Sequence, residues 1–194
     1  MEILEEKIRR VTKEIVAIEQ YNSMWPLMFK DEKEHLLSIL PDGLIKRIEH
    51  FGSTAVPGLS AKPIIDMLVE VTSLETTRNK VVQILESQGY DYFWRPTWGD
   101  DIPPFYAWFI KRDANGVRTH HIHMVENNAS FVEHWGRLLF RDYLIEHPET
   151  AKEYKDIKLS LSNRFPNDRV AYTKSKTEFI QRVTQIANEY YGKA

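Results

Sequence analysis

Two hydrophobic rhythms divide the chain. Between residues 44 and 125, apolar and polar positions alternate with a period near two in "LIKRIE", "PIIDMLVEV", "YDYFWR", "FYAWFIKR" and "VRTHHIHMV". Each run is rich in β-branched or aromatic residues and is bounded by turn-forming residues, which predicts five strands. Asn115-Gly116 joins the last two as a hairpin. "SLETTRNKVVQILESQGY" interrupts the strands with Val81, Val82, Ile84 and Leu85 at helical spacing, closed by Gly89.

The longer, helical rhythm occupies the two ends. Ser23 precedes "MWPLMFKDEKEHLLSIL", where Pro26 falls in the first turn and Leu27, Met28, Leu36, Leu37 and Leu40 share one face. This predicts a helix capped by Ser23 and ended by the Pro41-Asp42-Gly43 turn. Beyond Asn128, "SFVEHWGRLLFRDYLIEH", "ETAKEYKDIKLSLSNRF" and "DRVAYTKSKTEFIQRVTQIANEYY" predict three helices punctuated by Pro148 and Pro166. Leu4, Ile8, Val11, Ile15 and Ile18 follow helical spacing, while "IVAIE" alone also reads as a strand. The order of elements predicts an α+β fold, one domain over residues 1–194, mainly helical from 129 to 194.

Composition narrows the chemistry. The 194 residues suffice for a substantial core. With 26 Lys and Arg against 28 Asp and Glu, the net charge is −2, so no long-range field gathers nucleic acid or membrane, and neither is an expected partner. The absence of cysteine excludes disulfides and thiolate sites and leaves His, Asp and Glu as the strong metal ligands. "MEILEEKIRRVTKE" holds no continuous apolar run, and nothing approaches the roughly 20 apolar residues of a membrane span, so a cytoplasmic location is expected. Oligomeric state is not legible.

The chemistry concentrates in "HFGSTAVPGLSAKPIIDMLVEV", residues 50–71. Gly52 and Ser53 can present backbone N–H groups and a hydroxyl to an anion, and Lys62 adds a point charge. This is not a Walker loop, since Gly-Lys-Ser/Thr is absent and a strand follows. Along that strand Asp66, Leu68 and Glu70 share one face; Asp66 and Glu70 lie roughly 13 Å apart, too far to chelate one ion. In "RTHHIHMVE", His121 and His123 share a face and can reach one metal or one phosphate, or else are solvated or bonded to backbone. Arg141 beside Asp142 can clamp a substrate or simply occupy the surface. Tyr172 and Lys176 stand one helical turn apart, as in some reductases, yet no Gly-rich nucleotide turn accompanies them, and Lys174 with Lys176 can equally form a small basic surface. The aromatic run "YDYFWRPTWGDDIPPFYAWF" reads as core packing, with Asp100 and Asp101 at a polar loop tip.

Five segments, "YNSMWPLMF", "RIEHFGSTAVPGLSAKPIIDMLVEV", "RTHHIHMVE", "FRDYL" followed by "HP", and "AYTKSKTEFI", stand in the order and spacing of the GrpB family of the nucleotidyltransferase-like superfamily. The resemblance runs from about Val16 to about Ile186, leaving residues 1–15 as an extension, and it favours a strand for "IVAIE". It implies a polymerase-beta-like palm: a small mixed sheet flanked by helices, with Gly-Ser ahead of an Asp-bearing strand. In active relatives the Gly-Ser turn holds nucleotide phosphates and an Asp-x-Asp pair, with a third carboxylate, binds two divalent ions. Here Gly52, Ser53 and Asp66 match. Leu68 replaces the second acid, and His121 or His123 stands where the third is expected. Standard two-Mg²⁺ transfer is therefore in doubt, and imidazole suits Zn²⁺ or Mn²⁺ better than Mg²⁺.

Three readings follow. In the first, the protein binds a nucleotide or other phosphorylated ligand, with Gly52, Ser53, Thr54, Lys62, Arg141 and Lys176 toward phosphate. Asp66, His121 and His123 hold a divalent metal, Mg²⁺, Mn²⁺ or Zn²⁺, and Asp66 is the catalytic acid if transfer occurs. In the second it is a non-catalytic binding or chaperone-like module of the same fold, linked to coenzyme A metabolism because some relatives are fused to dephospho-CoA kinase. In the third it is a metal-dependent hydrolase.

Overall fold

The computed structural model describes residues 4–12, 15–97 and 102–192. Helix α1 (Leu4–Thr12) leads into α2 (Trp25–Ile39), strand β1 (Ile45–Phe51), a 3₁₀ turn (Ser53–Ala55) and β2 (Ile65–Val71). Helix α3 (Leu74–Thr76) runs through a π-helical turn (Thr77–Val81) into α4 (Val82–Ser87). Then come β3 (Asp91–Pro96), β4 (Phe105–Arg112) and β5 (Arg118–Val125). A 3₁₀ turn (Ala129–Phe131) opens the helical end: α5 (Val132–Glu146), α6 (Pro148–Arg164), α7 (Arg169–Lys174) and α8 (Thr177–Gly192).

The five strands form one mixed sheet in the order β1-β2-β5-β4-β3, antiparallel throughout except for the central β2–β5 pair. The parallel pair requires a crossover, and α3, α4 and the β3–β4 ribbon supply it. Both faces are covered, so β2 is apolar on each side: Ile65, Met67, Leu68 and Val69 are all fully buried. Helix α2 lies on the back face, where Phe29 stacks on His50 and the Met28 carbonyl meets the His120 ring. Helix α5 lies on the front face, where Arg141 bonds the Glu49 carboxylate and the His50 carbonyl. A second, smaller core joins Val56 and Leu59, from the loop after β1, to Phe140, Leu144, Tyr154, Phe179 and Val183. The Gly-Ser loop is thus clamped between sheet and C-terminal helices.

This is the α+β arrangement that the alternation predicts, with local differences. Ser23 does not cap α2: the helix begins at Trp25, and the Asn22 side chain accepts the Met24 N–H instead. Leu36 and Leu40 are buried as expected, but Leu27 and Leu37 are half exposed, because the sheet covers a narrower stripe than the apolar count suggests. "IVAIE" is not a strand; one bridge, Glu19 to Ala61, ties its end to the loop before β2. The last expected helix is two, α7 and α8, with Ser175 and Lys176 between them. Val11 and the Asp100-Asp101 tip lie outside the side chains described. Among the described residues no helix is long and apolar enough to cross a membrane.

Candidate functional site

Register builds the site. The parallel pairing sets Asp66 opposite His121 and Leu68 opposite His123, and paired residues share a face. His121 Nδ1 and Asp66 Oδ1 are 2.8 Å apart, and Arg118 Nη1 is 3.0 Å from His121 Nε2. Arginine can only donate, so Nε2 accepts and Nδ1 carries the proton that goes to Asp66. Burial holds the His121 imidazole down to about 4 even with Asp66 beside it. Burial pushes the Asp66 carboxyl up, but the His121 hydrogen bond, Lys62 and His50 outweigh it and keep it below its usual value. A neutral imidazole and an ionised carboxylate therefore face each other at neutral pH.

Gly52 closes this pair from one side. Its φ is +73°, and a Cβ there would stand 2.5 Å from Asp66 Oδ2. Both the backbone conformation and the approach demand glycine. The neighbouring Thr54 hydroxyl is engaged internally: Oγ1 donates to the Ile64 carbonyl and lies 3.0 Å from His50 Nε2.

Cations gather round Asp66. Lys62 and Lys176 place their ammonium groups 5.2 and 4.4 Å from the same Tyr172 ring centroid. Burial, with Arg169 and Lys176 nearby, pulls Lys62 well below its usual range; Asp66 and Arg118 also act on it. Lys176 is lowered to about 8, chiefly by burial. Tyr172 thus serves as a platform for two lysines. Behind them Lys158, almost wholly buried, donates to the Ser60 carbonyl. Arg141 is tied to its own surroundings: Nε bonds Asp142, and Nη1 bonds Glu49 and the His50 carbonyl.

His123 completes a trio. One ligand atom from each of Asp66, His121 and His123 lies within 4.8 Å of the others. His123 Nδ1 is buried without a hydrogen-bond partner. An orphaned imidazole nitrogen next to a carboxylate and a second imidazole is a donor set suited to a divalent ion. The fit has one cost: ligation through His121 Nδ1 moves its proton to Nε2, where Arg118 must let go.

Four neighbours carry no sequence expectation. Arg118 and Arg169 join the basic cluster beside Asp66. His134 is fully buried with both ring nitrogens unpartnered, 6.4 Å between its ring centroid and that of His123. Arg137 acts electrostatically on His123. His134, Arg137 and Arg141 recur at helical spacing in "VEHWGRLLFRDYL", and that polar stripe was the available signal. Arg118, opening the "RTHHIHMVE" strand, gives no such signal. A surface groove of about 520 Å³ between α6 and α8 shares no lining residue with this site.

A family profile described as GrpB protein matches residues 15–186. The chain belongs to the GrpB family. It is 37% identical over 175 residues to the UPF0157 protein YqkA of Bacillus subtilis, covering 90% of this chain but 48% of that protein. The glutamate-rich protein GrpB of Alkalihalophilus pseudofirmus is 34% identical over 174 residues, 89% of this chain and 96% of its own. The UPF0157 protein PA4798 of Pseudomonas aeruginosa is 39% identical over 167 residues and is matched over 62% of its length. The chain thus spans about half to two thirds of two of these relatives and nearly all of the third. The crystal structure of conserved protein GrpB from Enterococcus faecalis superposes with a TM-score of 0.78 at 31% identity, covering 90% of this chain and 99% of that one.

Proposed function

We propose that this GrpB-family protein binds a phosphorylated small molecule, a nucleotide by resemblance to the nucleotidyltransferase-like palm, beside the Gly52 turn. The observation that carries the reading is the charge balance: Lys62, Arg118, Arg169 and Lys176 stand around one aspartate. Such an excess of cationic groups, Arg118 buried and the other three partly so, suits an anion and disfavours a bare divalent ion. A phosphate drawn between Lys62 and Lys176 raises both ammonium groups back toward their usual range, so binding takes up protons. A divalent ion at Asp66, His121 and His123 would supply Lewis-acid polarisation of a phosphoryl oxygen. Asp66 orients His121, Gly52 keeps the approach open, and the Tyr172 ring holds the two lysines apart from water.

Thermal denaturation with nucleoside triphosphates and Mg²⁺, Mn²⁺ or Zn²⁺ tests this. Saturation near 100 times Kd stabilises by about 2.7 kcal/mol. The gain is expected with a nucleotide–metal pair and is lost in Lys62→Gln and Lys176→Gln. No stabilisation by any pair overturns the reading. Leu68, wholly buried in the place of the second acid, favours binding without transfer as a second reading. Turnover abolished by Asp66→Asn would reject it.

A further inference from the structure

The trio has cations on its other flank as well. Arg95, exposed on β3, lies 4.6 Å from the Trp108 ring centroid and 5.9 Å from that of Tyr106. Arg137, half-buried on α5, lies 5.8 Å from the Phe51 centroid. Those three rings wall His123, at 5.3 Å for Phe51, 5.5 Å for Tyr106 and 6.1 Å for Trp108. One arginine from a strand and one from a helix therefore converge on His123 across the aromatic rings that pack against it. Among the described residues neither is joined to a carboxylate in an ion pair.

Register fixes where this flank lies. Arg118 opens β5 beside His121, whereas Arg95 pairs with Tyr106, next to Ala107, which pairs with Met124 near the strand's other end. At roughly 3.3 Å per residue, the six steps from Arg118 to Met124 span on the order of 20 Å of β5 backbone. The two flanks hold different rings: Tyr172 carries Lys62 and Lys176, whereas Trp108, Tyr106 and Phe51 carry Arg95 and Arg137. Two guanidinium groups over aromatic rings and in no carboxylate ion pair, with Glu133 acting on Arg137 only electrostatically, are suited to a forked oxyanion.

We propose that Arg95 and Arg137 form a second anion subsite beside His123, which takes a carboxylate or phosphate of the ligand's far end or of a second substrate. The inference rests on the phosphorylated-ligand reading for its biological sense, but its test does not. In metal-free ¹H–¹⁵N spectra of the full chain, the Trp108 indole signal, assigned with Trp108→Phe, reports this flank. Inorganic phosphate, and succinate as the carboxylate probe, should shift that signal saturably. The midpoint should weaken at least tenfold in Arg95→Gln and in Arg137→Gln and stay unchanged in Lys176→Gln. Shifts by phosphate alone assign a phosphate seat, and shifts by succinate alone a carboxylate seat. Overturning results are no shift by either anion, a shift matched by chloride at equal ionic strength, midpoints unmoved by both arginine changes, or equal loss in Lys176→Gln. A nucleotide titration that fails while the Trp108 shift persists rejects the first reading and leaves this one standing.

Discussion

The two faces of the sheet treat buried polar groups in opposite ways. On the back face, the Tyr90 hydroxyl donates to Glu32 Oε1 at 2.6 Å, Lys111 pairs with Glu32 Oε2, and His120 meets Thr119 and the Met28 carbonyl. Every one of these groups has a partner. At the centre of the front face, His123 Nδ1, both His134 nitrogens and Trp108 Nε1 are buried without one. An orphaned buried polar atom costs about 1–3 kcal/mol, so a cluster of them is kept only against stability. The back face satisfies its polar groups internally, and the front face, where the proposed ligand would sit, leaves several unmet.

The largest effect should come from the back face. Glu32→Leu strands Tyr90 and Lys111 against apolar surroundings. Breaking a buried pair costs about 3–5 kcal/mol, but Lys111 is a third exposed and can reach water, which brings the expected loss to about 2–3 kcal/mol in urea unfolding. No change in phosphate binding should accompany it. Gly52→Ala comes next, on the front. A Cβ 2.5 Å from Asp66 Oδ2 on a φ of +73° should cost about 1–3 kcal/mol and push Asp66 off His121. Here the ligand-induced thermal shift should vanish in the same protein, the combination that Glu32→Leu lacks.

The faces were not equally legible in the sequence. Alternation in "PIIDMLVEV" and "VRTHHIHMV" gives the strands and tells which side chains share a face. It does not tell which strand lies beside which, and the site is made by that choice: β5 skips over β3 and β4 to pair with β2, bringing His121 to Asp66. The GrpB resemblance supplied the neighbourhood that periodicity could not. Lys62 and Lys176 meet over Tyr172, a contact between distant segments, and the break that ends α7 before Lys176 has no Pro or Gly to announce it. Thr54 and Arg141, expected toward phosphate, instead tie the Gly-Ser loop and α5 to the sheet. Arg95 and Arg137 come from distant segments and acquire a shared surrounding only when the sheet folds.

Acid should separate the faces further. His50, on the back face, is held down to about 4, chiefly by burial, with Arg141 and His120 lowering it and Asp66 raising it. The unfolded chain takes up that proton near 6.5 and the folded chain only near 4, so the stability from neutral His50 is full above about 6.5 and is lost as pH falls toward 4. The slope from one such group is at most about 1.4 kcal/mol per pH unit, less here because His50 is partly exposed. Urea midpoints at stepped pH values should fall less steeply between 6.5 and 4.5 in His50→Gln than in the parent chain.

The smallest effect carries the sharpest sign. His134→Phe replaces a ring whose two nitrogens have no partner with one that needs none, packed against Tyr106 and Phe131. Removing unsatisfied groups without opening a cavity is neutral or stabilising, so unfolding free energy should rise by between zero and about 1 kcal/mol. The same exchange at His120 removes hydrogen bonds to Thr119 and Met28 and should lower it by about 1 kcal/mol. Equal losses at both positions would mean that His134 is as well satisfied as His120, with water as its partner, and the contrast between the faces would fail. Opposite signs would show that the chain keeps a destabilising histidine behind His123, and a residue kept at a cost to the fold is what the proposed binding reading requires there.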